Sequence, residues 1–466
     1  MYVHNNLSSE IAMKQVWAKQ ALLTTGWATD VLITIGTDGR ISKVTSGAKP
    51  QGERVNMLLP APVNVHSHAF QRAMAGLTER RGPDPSDSFW TWRQLMYRFL
   101  DQLSPEHIEA ITAFVQMEML EAGYATNAEF HYLHHQTDGV PYDNIAELSD
   151  RVMSAASTTG IGLCLLPVHY QYGGCDQRPL GDGQIRFGND PDQFHTLHQQ
   201  ASQSLHNLSG DAGIGVAPHS LRAVGMDMLK QYATLHPTGP IHMHLAEQIP
   251  EVEEVSAHWR ARPVEWALEN MGLNDRWCLI HCTQMTPDET IGLAQTRAVA
   301  GLCPITESSL GDGIFDGVRW LENDGMIAIG SDSNIRIALA EELRTLDYSQ
   351  RLRDHSRAAL ATQDRSTGRR LYQATLAGGA QATARDTGAL AVGNWADMLC
   401  LDMASVHTAG RSGDTVLDAW IFAGDDRLVT DVWSAGRHVV KDGEHHNKAR
   451  ITSAYLRALQ DLKDAI

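Results

Sequence analysis

The chain has 466 residues, is 43% hydrophobic and 20% charged, and carries a formal net charge of −17. That composition fits an ordered globular protein and argues against the basic stripe of a nucleic-acid-binding surface. No stretch reaches the ~20 apolar residues of a membrane span, and the opening MYVHNNLSSEIAMK lacks the apolar centre of a secretory leader. The six cysteines form no CxxC pair, so reduced thiols and a cytoplasmic location are expected.

Residues 15–57 contain VLITIGTDGRISKV, an alternating run broken by Thr37-Asp38-Gly39, which predicts a hairpin. Eight short apolar runs follow: APVNVHSH (61–68), ATNAEFHY (125–132), GIGLCLLPV (160–168), AGIGVAP (212–218), GPIHMHL (239–245), RWCLIHC (276–282), AVAGLCP (298–304) and MIAIGSD (326–332). Each ends in polar or Pro/Gly chemistry, as strands buried on both faces do. Between them lie amphipathic stretches such as SPEHIEAITAFVQMEMLEAG (104–123) and RPVEWALENMG (262–272). Ser104, Pro105 and Glu106 make a helix start, and Gly123 makes a stop. Eight strand–helix units in series predict an α/β fold, a (β/α)8 TIM-type barrel, with a doubly wound open sheet as the alternative. Residues 388–442 return to short strands with glycine turns, as in GALAVGNWADMLCLD and VTDVWSAGRHVVKDG. A small β-sandwich domain is therefore expected from 1–59 plus 388–450, around a barrel over 60–387, with a C-terminal helix at 451–466.

In such a barrel, chemistry belongs at the C-terminal ends of the strands. Those ends carry His66 and His68 on run one, His242, His244 and Glu247 on run five, His281 on run six and Asp332 on run eight. Strand side chains alternate, so His66 and His68 point the same way. Imidazoles with a carboxylate suit a borderline cation such as zinc or ferrous iron. A single strand-end histidine is ordinarily a packed polar residue, and HxH alone is a weak motif. Four strand ends bearing such residues in barrel order are far more specific. No HExxH, Walker sequence, GxSxG elbow or HxE…PCxxC pattern competes. In HYLHH Tyr132 and its neighbours at the strand end are well placed, His134 and His135 reading as loop or packing residues, and LGDG reads as a tight turn.

This constellation resembles the deaminase branch of the amidohydrolase superfamily, across both β flanks, including GNWADMLCLD, and all eight strands. The resemblance implies that His66, His68, His244 and Asp332 bind one divalent metal per subunit, Zn2+ or alternatively Fe2+. It makes Glu247, His281 and Asp332 catalytic and leaves His242 as a supporting or packing residue. Dinuclear members often carry a lysine at the end of strand four. Here that position reads VAPHSLRAV and the nearest lysine is Lys230, which favours a single metal.

Within the branch, HSHAFQRAMAGLTER, DSFWTWRQLMYR, AEFHYLHH, APHSLRAV and CPITESSLGDGIFD resemble the formiminoglutamate deiminases. The last stretch departs from heterocycle deaminases, which usually carry Ser-Asn where this chain has Thr306-Glu307. The resemblance implies a homodimer that hydrolyses N-formimino-L-glutamate to N-formyl-L-glutamate and ammonia, with Gln71, Arg93, Tyr132, His219 and Arg222 lining the substrate pocket. A substrate with two carboxylates needs fixed cations away from the metal, which suits Arg222 beside His219 and Arg93 in the aromatic segment. The alternative is a deaminase of an aminated heterocycle such as guanine or cytosine, which Trp90 and Trp92 would suit by stacking. A catalytically silent barrel is disfavoured by the complete set of ligand-type residues.

Overall fold

The structure is a computed structural model that describes residues 13–79 and 89–463, the side chains of 89–94 excepted. Four strands open the chain: β1 (Lys14–Leu23), β2 (Gly26–Ile35), β3 (Ile41–Thr45) and β4 (Glu53–Pro60). Then come β5 (Val63–Ser67), β6 (Thr126–His131), β7 (Gly162–His169), β8 (Gly213–Ile214), β9 (Ala217–Pro218), β10 (Ile241–Leu245), β11 (Trp277–His281), β12 (Val299–Leu302) and β13 (Met326–Ile329). The last strands are β14 (Met398–Leu401), β15 (Val429–Ser434), β16 (Arg437–Lys441) and β17 (Glu444–His445).

The eight apolar runs are the eight barrel strands, the fourth being split into β8 and β9. Strands β5 to β8 pair in parallel, with β9 also on β7, and β10 to β13 pair in parallel. Isolated parallel bridges Ser67–Asp332 and Val216–Ile241 join the two sheets at both seams and close the ring. Residues of β5, β10 and β11 are buried throughout, as expected of strands covered on both faces.

Both chain ends meet in one eight-stranded sheet, in the order β17-β16-β15-β14-β4-β1-β2-β3. Its two halves are hydrogen-bonded to each other through β4 and β14, and share a core that includes Val16, Val31, Ile33, Leu58, Met398 and Trp433. The helix start at Ser104 is as expected: its side chain accepts the His107 N–H, Pro105 is the first helical residue, and the helix runs Pro105–Glu121. Such a cap is worth about 1 kcal/mol. The C-terminal helix Lys448–Leu462 packs on it through Phe114 and Tyr455, whose rings stack at 4.0 Å. One helix was not expected. Asp414–Phe422 interrupts the C-terminal β flank, because Val416, Leu417, Trp420 and Ile421 recur at helical spacing and are buried.

Candidate active site

Four strand ends converge at the mouth of the barrel. His66 lies on β5 and His68 just beyond it, His244 lies on β10, His281 closes β11, and Asp332 follows β13. A buried polar lacing sets β5 against the loop after β13. Asn64 Nδ2 donates to Ser331 Oγ at 2.6 Å, Ser331 Oγ donates to Asn334 Oδ1 at 2.6 Å, and Asn334 Nδ2 donates to Ser67 Oγ at 3.1 Å. The His68 N–H donates to the Asp332 carbonyl at 2.9 Å. Beneath it, Glu129 of β6 accepts the Ala69 N–H at 2.7 Å. Several strand ends are bent into the left-handed region without glycine: Ala246 (φ 52°), His281 (φ 73°), Cys282 (φ 52°), Asp332 (φ 46°) and Asn334 (φ 53°). Each such residue costs about 1–3 kcal/mol, and the clustering aims the side chains inward.

The donor atoms lie close together. His66 Nε2 is 3.1 Å from His244 Nε2 and 3.3 Å from Asp332 Oδ1, and His68 Nε2 is 3.2 Å from the same oxygen. Ligands bound at about 2.0–2.1 Å to a tetrahedral cation stand about 3.3 Å from one another, so these separations fit one small divalent ion. The other nitrogens of two rings are engaged by backbone: His68 Nδ1 with the Phe130 carbonyl at 3.0 Å and His244 Nδ1 with the His219 carbonyl at 3.1 Å. Both rings then donate through Nδ1 and turn an acceptor Nε2 inward. Burial, with the neighbouring imidazoles, pushes His66 and His244 well below the usual histidine range; burial also lowers His68, against Asp332. Neutral imidazoles are what a cation takes as ligands.

The donor atoms that all lie within 4.8 Å of one another belong to His66, His244, His281 and Asp332, and His68 adjoins this group through Asp332 Oδ1. The contacts of His281 differ, however. Nε2 is 3.8 Å from Glu247 Oε1 and 3.9 Å from Asp332 Oδ2, while Nδ1 meets Glu307 Oε1 at 3.3 Å. Burial alone would lower its pKa, but Glu247, the Glu307 hydrogen bond and Asp332 outweigh burial and hold it at about 10. Glu247 is held by its backbone: Glu251 accepts its N–H at 2.9 Å and the Thr283 hydroxyl donates to its carbonyl. Burial raises its pKa, as do Asp332 and Glu251, against the pull of His281 and Arg222.

The amidohydrolase family profile matches residues 57–439, and that of the formimidoylglutamate deiminase HutF N-terminal domain matches residues 13–54. A formimidoylglutamate deiminase of Pseudomonas aeruginosa is 46% identical over 456 residues, covering 97% of this chain and 100% of that protein. The chain belongs to the amidohydrolase family, on its formimidoylglutamate deiminase branch. An amidohydrolase from Brucella melitensis superposes with a TM-score of 0.92 at 43% identity, over 97% of this chain and 100% of that one. An adenosine deaminase from Xanthomonas campestris with bound zinc shares the fold, at a TM-score of 0.79 and 20% identity over 97% and 98% of the two chains.

In this amidohydrolase a pocket opens above the cluster, and Gln71, Tyr132, His219 and Arg222 all line it. Gln71 Nε2 donates to the Tyr132 hydroxyl at 2.9 Å. Arg222 Nε is buried and finds no acceptor among the described residues. Arg93 lies on the helix Phe89–Leu100, but its side chain, with those of Trp90 and Trp92, lies outside the described residues. Met96, Tyr170, Phe187 and Leu310 add walls to the pocket that were not singled out from the sequence. His242 points elsewhere, its Nε2 on the Ala382 carbonyl at 2.6 Å, and His134 and His135 bond to the carbonyls of Val168 and Gly188. All three are packing residues. Glu129, Glu251 and Glu307 were missed as parts of the site. Only Glu307 left a trace, in the Thr306-Glu307 departure.

Proposed function

We propose that this amidohydrolase converts N-formimino-L-glutamate and water to N-formyl-L-glutamate and ammonia. The observation that carries this is the 46% identity, spanning all of the Pseudomonas aeruginosa formimidoylglutamate deiminase. A pocket that sets Arg222, His219, Gln71 and Tyr132 beside the metal cluster supports it. We assign His66, His68, His244 and Asp332 as ligands of one divalent cation per subunit, zinc in the first instance. Ferrous iron is the other cation this donor set accepts. Such a cation, when bound, supplies Lewis acidity and makes a water nucleophilic near neutral pH.

The remaining work falls to the chain's own side chains. Glu247 takes one proton from the attacking water as its oxygen bonds to the formimino carbon, then gives that proton to the departing nitrogen as the C–N bond breaks. One carboxylate thus acts as base and then as acid. The second water proton leaves the oxygen to Asp332 as the formyl C=O forms and passes from there to the released ammonia. His281 Nε2, beside Glu247 and Asp332, stabilises the tetrahedral centre, and Asp332 accepts a hydrogen bond from the water and orients it. Arg222 and Arg93 grip the two substrate carboxylates, while Gln71, Tyr132 and His219 orient the glutamyl part.

The proposal includes the division into a small β unit (1–59 with 388 onward) and the barrel (60–387), followed by the C-terminal helix Lys448–Leu462. It also includes a homodimer and a cytoplasmic location. Six free, buried cysteines support that location. No helix among the described residues is long and apolar enough to cross a membrane. The decisive experiment measures ammonia release from formiminoglutamate beside guanine and cytosine, with N-formylglutamate identified as product. Turnover of a heterocycle in place of formiminoglutamate would overturn the assignment.

A further inference from the structure

His281 projects from the last residue of β11, at a backbone angle of φ 73°. An imidazole held only by its backbone can turn over about its ring axis and exchange its two nitrogens. One edge of this ring meets a fixed partner. Glu307 is buried on the short helix Pro304–Leu310, and its Oε1 lies 3.3 Å from His281 Nδ1. The same oxygen accepts the Cys303 N–H at 2.8 Å, which fixes the carboxylate before it meets the ring. The residue beside it braces a second strand end: Thr306 Oγ1 lies 2.9 Å from Ser333 Oγ and accepts the Ser333 N–H at 3.4 Å, immediately after Asp332. One helical turn therefore touches the supports of His281 and of Asp332 at once.

We propose that Glu307 is a positioning residue for His281, its carboxylate holding Nδ1–H outward so that Nε2 faces Glu247, Asp332 and the reacting carbon. A carboxylate acceptor behind a functional histidine fixes the orientation of its ring. Glu307 touches neither the substrate nor the four assigned ligands, so its effect passes through one ring. This inference rests on the deiminase reading.

The test is steady-state kinetics of the metal-loaded full chain, with metal content measured in parallel. Glu307→Ala lowers kcat for ammonia release about 10–100-fold, while KM and bound zinc stay at wild-type levels. Glu307→Gln keeps the shape and a weaker acceptor, so it falls between wild type and Ala, and it carries the test if Glu307→Ala does not fold. Added formate, a small carboxylate that fits the vacated space, restores part of the Ala variant's kcat. In a His281→Ala background, Glu307→Gln costs less than about twofold further, because the two residues act as one unit. Unchanged kcat in both Glu307 variants, loss of bound zinc, no response to formate, or an undiminished effect in the His281→Ala background would each overturn the proposal. Wild-type turnover in the same assay separates the two readings. An inactive wild type removes the deiminase reading and the proposal with it, whereas an active wild type with unaffected variants removes the proposal alone.

Discussion

His66 Nε2 and His244 Nε2 face each other at 3.1 Å across the barrel mouth. Each ring is buried and held well below the usual histidine range, so both are neutral and free of the proton that would compete with a cation. A cation between them would take both Nε2 atoms as ligands. Stripping the metal with dipicolinate therefore abolishes ammonia release and lowers the unfolding midpoint by several degrees, and added zinc restores both. Calorimetry of the stripped and reloaded protein, run beside the assay, checks this. A stripped protein with wild-type turnover would remove the metal from the proposal.

Glu247→Gln keeps the fold and the bound metal, since the Glu251 and Thr283 hydrogen bonds reach its backbone. The variant loses the proton carrier, and kcat falls by about 10²–10⁴-fold. Single-turnover ammonia release with metal quantified in the same sample is the measurement. Near-normal release would move the proton transfer to another residue.

Arg222→Met affects binding more than chemistry, because a carboxylate grip at the far end of the substrate is made in both ground and transition states. A charge-assisted pair is worth about 1.5–3 kcal/mol, so KM rises roughly 10- to 150-fold with kcat little changed. Isothermal titration with N-formylglutamate gives the same ratio as a product affinity. An unchanged KM would point to a substrate with no carboxylate at this position.

The barrel was legible because its strands are buried on both faces and read as bare apolar runs, and because barrel chemistry sits at their ends. His66, His68, His244 and Asp332 could be picked out for that reason. Glu129, Glu251 and Glu307 could not. Each is an acidic residue in an ordinary stretch, and its role depends on which N–H or ring the fold lays against it: Ala69 for Glu129, Glu247 for Glu251, His281 for Glu307. The helix Asp414–Phe422 escaped notice for a different reason. It is nine residues long and lies between β14 and β15, whose own short apolar runs make the whole flank read as strand.

Asp426 offers a test of stability far from the chemistry. It joins two helices: its Oδ1 accepts the Ala340 N–H at 3.0 Å and the Trp420 indole N–H at 3.2 Å, while Oδ2 is buried with no partner among the described residues. Burial raises its pKa from 3.8 to about 7, against the two hydrogen bonds. The folded value lies above the unfolded one, so the folded state binds the extra proton. The stabilisation is therefore fully present below pH 3.8 and is lost as pH rises to about 7, where the buried carboxylate ionises. Each pH unit between those two values is worth about 1.4 kcal/mol, so the full loss is about 4 kcal/mol. Asp426→Asn keeps the Oδ1 acceptor and removes the charge. It should change the unfolding midpoint little in acid and raise it by a few degrees under alkaline conditions, with the gain growing through the pH window in which Asp426 ionises. Calorimetric scans of both proteins across pH test this. A gain that is flat with pH would show that Asp426 does not titrate in that window.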